Sequence, residues 1–233
     1  FLYFWLPDYH PLIEERLYSL GRLRNPVIGA LSYGVAATIC ANLALVHARW
    51  MRFLWSACLA ILLLGILFTE TRSAWVGLII SIPACVMLQR EISVRAKYSM
   101  LVTFFLILTV TMIATWLMGY WDEVLHRALS FRPEIWLKAV RDTTQENLIL
   151  GKGIASSSRL LIDGISHHHP HSIYVSTFFY GGLTGALLLV TLISACLKEL
   201  IKKDFTPLVI LALSTLLYAV STLMIDGNRL LEK

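Results

Sequence analysis

The chain has 233 residues, 57% of them hydrophobic and only 15% charged, with a mean hydropathy of +0.69. A soluble domain carries about a quarter of its residues as charges, so a water-soluble globule is excluded and an integral membrane protein is implied. The net charge of +5 comes from Lys and Arg in short runs between apolar segments, which is how a membrane protein sets its orientation, and no nucleic-acid partner is expected.

Residues 1–6, FLYFWL, read as the end of a span, and the chain as an internal piece of a larger membrane protein. A polar stretch, 7–25, follows. Pro26 suits the first turn of a helix, and residues 27–46 carry no charge over 20 positions, enough to cross the roughly 30 Å hydrocarbon layer. Residues 47–52 form a short basic loop. The apolar runs 53–68 and 74–88 each fall below the roughly 18 residues of a full span, so each taken alone could be re-entrant. Between them, Thr69-Glu70-Thr71-Arg72-Ser73 fits a tight turn at one membrane face. Residues 89–97 are basic again and 98–118 make a span. After a mostly polar stretch, 119–171, come a span at 172–197, a basic loop at 198–205 and a last span at 206–225. Cys40, Cys58, Cys85 and Cys196 all lie inside apolar runs as small hydrophobes, without disulfide or zinc spacing.

The basic loops 47–52, 89–97 and 198–205 hold eight Lys or Arg in 23 residues. They share one side if every span crosses, and that side is then cytoplasmic. The 53-residue loop 119–171, the turn at Glu70 to Arg72, and Asp226 share the other face, the periplasm in a bacterium; the long loop's six Lys or Arg are balanced by six acids. Within this loop, 133–147 reads as a helix. Pro133 takes the first position, Glu134, Lys138 and Asp142 pair at i,i+4, and Ile135, Trp136, Ala139 and Val140 form an apolar stripe. The stripe packs on the protein or lies along the membrane surface. The expected architecture is all-α: a polytopic transmembrane helix bundle, one transmembrane domain over 1–233, with one large periplasmic loop, 119–171, containing short helices.

Ionisable residues at the membrane boundary are the candidates for chemistry. His171 stands at the outer end of a span, last of four histidines in the five positions 167–171. A neutral imidazole there can take a proton from an attacking hydroxyl, or it merely ends a polar loop. Gly182 and Gly185 lie further along the apolar run and allow close helix packing or room for a lipid. The histidine run has a metal-site reading, but adjacent histidines point apart and nothing completes a ligand set, so no metal is expected. His169 is its member nearest His171. Arg72 is suited to a phosphate or to lipid headgroups, and Arg132 to a diphosphate or to solvent. Asp226 begins an Asp-Gly turn or positions an acceptor sugar.

Four segments together resemble the O-antigen ligase and O-antigen polymerase superfamily of bacterial membrane glycosyltransferases. Thr71-Arg72-Ser73-Ala74-Trp75 is similar to its Ser-Arg-Gly-Ala-Trp segment, with Ser73 where Gly is usual. Phe131-Arg132-Pro133-Glu134-Ile135-Trp136 resembles the arginine segment opening its periplasmic helix. NLILGKG from Asn147 to Gly153 is similar to its Asn-Pro-Leu-Leu-Gly-x-Gly turn, with Leu148 in place of Pro. His169-Pro170-His171-Ser172, then Gly182 and Gly185, fits the ligase pattern. The resemblance covers about residues 20 to 230. It implies a multi-pass protein of the bacterial inner membrane whose site faces the periplasm. Its reaction would move a glycan from undecaprenyl diphosphate to lipid A–core without a metal or other cofactor. His171 would be the base, His169 its assistant, and Arg72 and Arg132 the diphosphate partners. An O-antigen polymerase or a protein O-oligosaccharyltransferase would use the same donor. A lipid-linked glycan flippase or transporter is the non-enzyme alternative, disfavoured because the ionisable groups gather at span ends.

Overall fold

The computed structural model of the protein describes residues 12–13, 16–17, 26–69, 71–117, 132–153, 160–162, 165–167 and 170–225. In chain order these form strands β1 (Leu12–Ile13) and β2 (Arg16–Leu17), then helices α1 (Pro26–Val46), α2 (Arg49–Thr69), α3 (Arg72–Leu88) and α4 (Val94–Leu117). Next come helix α5 (Arg132–Glu146), strands β3 (Leu160–Ile162) and β4 (Ile165–His167), and helices α6 (Ile173–Ile201) and α7 (Pro207–Thr222). The strands make two minimal antiparallel pairs, β1 with β2 and β3 with β4. The architecture is thus an all-α membrane helix bundle, as composition predicts. Helices α1, α2 and α6 are long and apolar enough to cross a membrane, and α3 and α7 are shorter apolar helices. The chain divides into two compact units, one of Phe1–Glu91 with Leu200–Thr222, the other of Ile92–Glu199 with Leu223–Lys233.

The first unit is held by small residues. Pro26 opens α1, where the amide it lacks would have no helical partner. Ala30, Gly34, Ala37, Ala41 and Ala44 recur at three- and four-residue steps and are buried, so neighbouring backbones approach closely. Tyr218 of α7 fills the space this leaves: a Cβ on Gly34 would strike its phenol oxygen, and one on Gly77 of α3 would lie 2.7 Å from its ring. Polar ties cross the same interface, Thr38 Oγ1 to Ser81 Oγ at 3.2 Å and Asn42 Nδ2 donating to Cys85 Sγ at 3.4 Å. In a bilayer each such tie contributes about 1 kcal/mol.

Loops predicted from charge are shorter than the charge pattern suggests. Only His47 and Ala48 separate α1 from α2, and the expected loop 47–52 is otherwise the first turn of α2. Arginine stems extend along a helix end while their heads stay at the interface, so the helix absorbs them. Helix α2 thereby gains a length of 21 residues, about 31 Å, which removes the re-entrant reading for that run. Likewise α4 starts at Val94 and α6 runs on to Ile201, inside the two other basic stretches.

In the second unit, α5 occupies Arg132–Glu146, within one residue of the expected helix at each end. Most of its stripe packs on protein: Ile135 and Ala139 are buried against Leu160 of β3 and Phe179 of α6, with Trp136, Val175 and Tyr180 around them, while Val140 stays exposed. Each large side chain withdrawn in this way contributes about 2 kcal/mol. Of the two expected i,i+4 ion pairs, Lys138 with Asp142 closes at 3.5 Å. The expected continuous span 172–197 is corrected. Helix α6 is interrupted at Gly182, whose φ of 59° and ψ of −155° are not helical. The portion beyond the break, residues 183–201, is about 28 Å of helix by itself, close to the hydrocarbon thickness.

Candidate functional site

His171 occupies a turn fixed at both sides. Its φ is 57°, the only positive value outside glycine among the described residues. Left-handed backbone costs an L-residue about 1–2 kcal/mol, and persists where the surroundings over-determine it. Here they do. On the preceding side, the Trp136 indole Nε1–H donates to the Pro170 carbonyl at 2.7 Å, and Pro170 is itself buried. On the other side, Ile173 N donates to Leu223 O at 3.0 Å, and Ser176 N donates to Ser172 O at 2.8 Å to begin α6. Strain held in this way is typical of residues that bind or react.

Arg132 is the first residue of α5 and stands four before Trp136. Residues at that spacing share one face of a helix. Since Trp136 reaches the Pro170 carbonyl, Arg132 belongs to the side of α5 that carries the His171 turn. Arg72 lies in the other compact unit, as the first residue of α3, half-buried between buried Thr71 and Ser73.

The three candidates hold the same kind of place. Arg72 and Arg132 open helices, and His171 lies two residues before one. Helix N-termini present unpaired amides and a positive dipole end, so an added cation there is disfavoured by about 0.3–1 kcal/mol, unless an anion is shared. Helix α3 has no acidic residue in its first turn, whereas α5 has Glu134. A cation at a positive helix end suits a phosphate better than it suits the helix.

Gly182 and Gly185 serve a joint rather than a continuous helical face. The turn after α5, residues 147–153, lies in the break of α6 and supplies the hydrogen bonds that the break removes. Lys152 N and Gly153 N donate to Phe179 O and Tyr180 O, each at 2.9 Å, and Leu183 N and Thr184 N donate to Leu148 O and Ile149 O at 2.9 and 3.1 Å. Both sides need glycine. A Cβ on Gly182 would lie 2.6 Å from Gly151 N, and one on Gly151 2.6 Å from Tyr180 C, with both glycines at positive φ. Gly185 lets the helix fold back beside Thr177, whose carbonyl oxygen would be 2.8 Å from an added Cβ. Two segments that look unrelated in sequence, NLILGKG and Gly-x-x-Gly, are therefore one backbone-to-backbone lock.

His169 and Asp226, like Glu70 and His168, lie outside the described residues. Among the described residues no three His, Cys, Asp or Glu side chains are grouped to hold a metal. Sequence reasoning missed three contributors: the Trp136 tether, the Leu223 carbonyl, and Asn147, whose Oδ1 accepts from Leu150 N at 3.1 Å. An Asn heading a glycine-containing turn is a visible signal for the last. The Leu223 bond leaves none, since any residue there offers the same carbonyl.

The chain as a whole is similar to known proteins. The chain is 31% identical over 241 aligned positions to an O-antigen ligase of Pseudomonas aeruginosa; the alignment takes in 99% of this chain and 54% of that protein, so the chain spans about half the length of the curated relative it matches. A family model described as O-antigen ligase matches residues 57–190. That window, more than half of the chain, contains Arg72, Arg132, the His171 turn and both partners of the glycine lock. The chain therefore belongs to the O-antigen ligase family.

Proposed function

We propose that this chain carries the acceptor-activating part of a membrane glycosyltransferase of the bacterial inner membrane, facing the periplasm. The donor is a glycan on undecaprenyl diphosphate and the acceptor a sugar hydroxyl of lipid A–core. In the step, the acceptor oxygen attacks the anomeric carbon, its proton passes to His171, and the carbon–oxygen bond to the diphosphate breaks. Undecaprenyl diphosphate leaves with the electron pair. Arg72 and Arg132 meet its growing negative charge at helix N-termini, where guanidinium and dipole act together. His169 assists the proton transfer and Asp226 orients the acceptor. A diphosphate is already a good leaving group, and the two guanidinium groups take the part that a divalent cation plays elsewhere, so the reaction proceeds without a metal.

The observation that carries this reading is the strained turn at His171, held by the Trp136 bond on the face of α5 that begins with Arg132. Loop charge supports the periplasmic side, because the densest Lys and Arg fall in the opposite loops. The test uses the whole protein, reconstituted with lipid-linked glycan and offered lipid A–core, free glycan chains and a pilin-type acceptor in parallel. Transfer to lipid A–core is expected, and His171→Ala lowers it at least about 100-fold with unchanged insertion. Transfer to another acceptor replaces the acceptor assignment, and normal transfer by the variant ends the proposed role of His171.

A further inference from the structure

The turn that fills the break in α6 also shows an unusual surface. Leu148, Ile149 and Leu150 are consecutive, and 41%, 64% and 63% exposed. Three exposed aliphatic side chains at the tip of a polar loop are unfavourable in water. The backbone beneath them, by contrast, is paired in large part. Leu150 N bonds to Asn147 Oδ1 and Gly151 N to Asn147 O, while Lys152 N and Gly153 N bond into the first half of α6. The carbonyls of Leu148 and Ile149 accept from Leu183 N and Thr184 N, and the Thr184 hydroxyl adds a second bond to Ile149 O at 3.0 Å. Apolar side chains outside and mostly paired backbone groups inside lower the cost of holding this turn at the hydrocarbon boundary, where the side chains enter the acyl layer and the remaining amides still meet water.

Depth supplies the second argument. The bonds to Leu183 and Thr184 place the turn beside the first residues of the membrane-length segment 183–201. That segment is close to the hydrocarbon thickness, and Lys198 and Glu199 in its last turns belong at the opposite interface, so its first residue lies near the layer's edge, where exposed Leu183 continues the apolar surface of the tip. The ionic residues that flank the tip neutralise each other, with Lys152 Nζ paired to Glu146 Oε1 at 2.8 Å.

We propose that Leu148, Ile149 and Leu150 form a keel immersed in the acyl region of the monolayer on the α5 side, so that the lipid surface is a structural partner of this turn. The keel, the Gly151–Gly182 lock and the half-helix that starts beside His171 are one backbone-bonded body. The bilayer thereby sets the height of His171 directly.

The test is positional and independent of catalysis. In the whole protein with its native cysteines replaced, Ile149→Cys and, as a water-facing control on α5, Gln145→Cys are labelled with bimane in nanodiscs. Phospholipids brominated high on the acyl chain are expected to quench the Ile149 label about twofold while aqueous iodide leaves it unchanged, with the reverse at Gln145. Iodide quenching at Ile149, or shielding from both quenchers, overturns the proposal. Because cysteine replacement in the first unit is itself disruptive, benzoylphenylalanine at position 149 of the otherwise native protein gives a second reading. A phospholipid adduct upholds the keel, and a polypeptide adduct or none refutes it.

Discussion

Glycine does opposite work in the two units. In the first, Gly34 and Gly77 are helical positions where a missing side chain makes room for another, the ring of Tyr218. In the second, Gly151 and Gly182 have positive φ and meet backbone with backbone. The first arrangement is a matter of volume, and a neighbour can be trimmed to restore the fit. The second is a matter of conformation, and no neighbouring side chain can be trimmed to relieve it.

That contrast orders the expected effects of substitution. Gly182→Ala combines left-handed backbone with a clash against fixed main chain, and should cost about 3 kcal/mol or more. It should also abolish transfer, because the half-helix next to His171 loses its support; thermal unfolding in detergent and the transfer assay would check both. Gly34→Ala should cost about 1–3 kcal/mol, and here a second change should help. Tyr218→Leu in the same chain should recover part of the lost thermal stability, whereas no partner substitution should rescue Gly182→Ala. Equal behaviour of the two glycines would break the comparison. The smallest effect belongs to Trp136→Phe, which keeps the ring and removes the bond to Pro170 O, at about 1 kcal/mol. Stability should fall by no more than that, while kcat for transfer falls about tenfold at unchanged KM, since the lost bond fixes the His171 turn rather than a substrate.

The apolar helices and the loop helix were legible because their signals are local. A charge-free run of 20 residues after Pro26 specifies α1, and Pro133 with an apolar stripe specifies α5 to within one residue. Helix ends in basic stretches were misplaced for an equally local reason, because Arg and Lys mark an interface, not the end of a helix. The break in α6 was not legible. An apolar run containing Gly-x-x-Gly has the pattern of a packing face, and nothing near Gly182 announces that residues 147–153 will take the place of its missing helical bonds.

The amino-acid order alone therefore decided that the chain is a membrane helix bundle, and which ionisable side chains stand at helix ends, because hydropathy and capping act over a few residues. Tertiary structure alone decided the left-handed turn at His171 and the division of α6. Both are made by hydrogen bonds between positions some thirty or more apart in sequence, the Trp136 indole with the Pro170 carbonyl and Leu183 N with Leu148 O, and the main-chain groups in these bonds are the same whatever residue bears them.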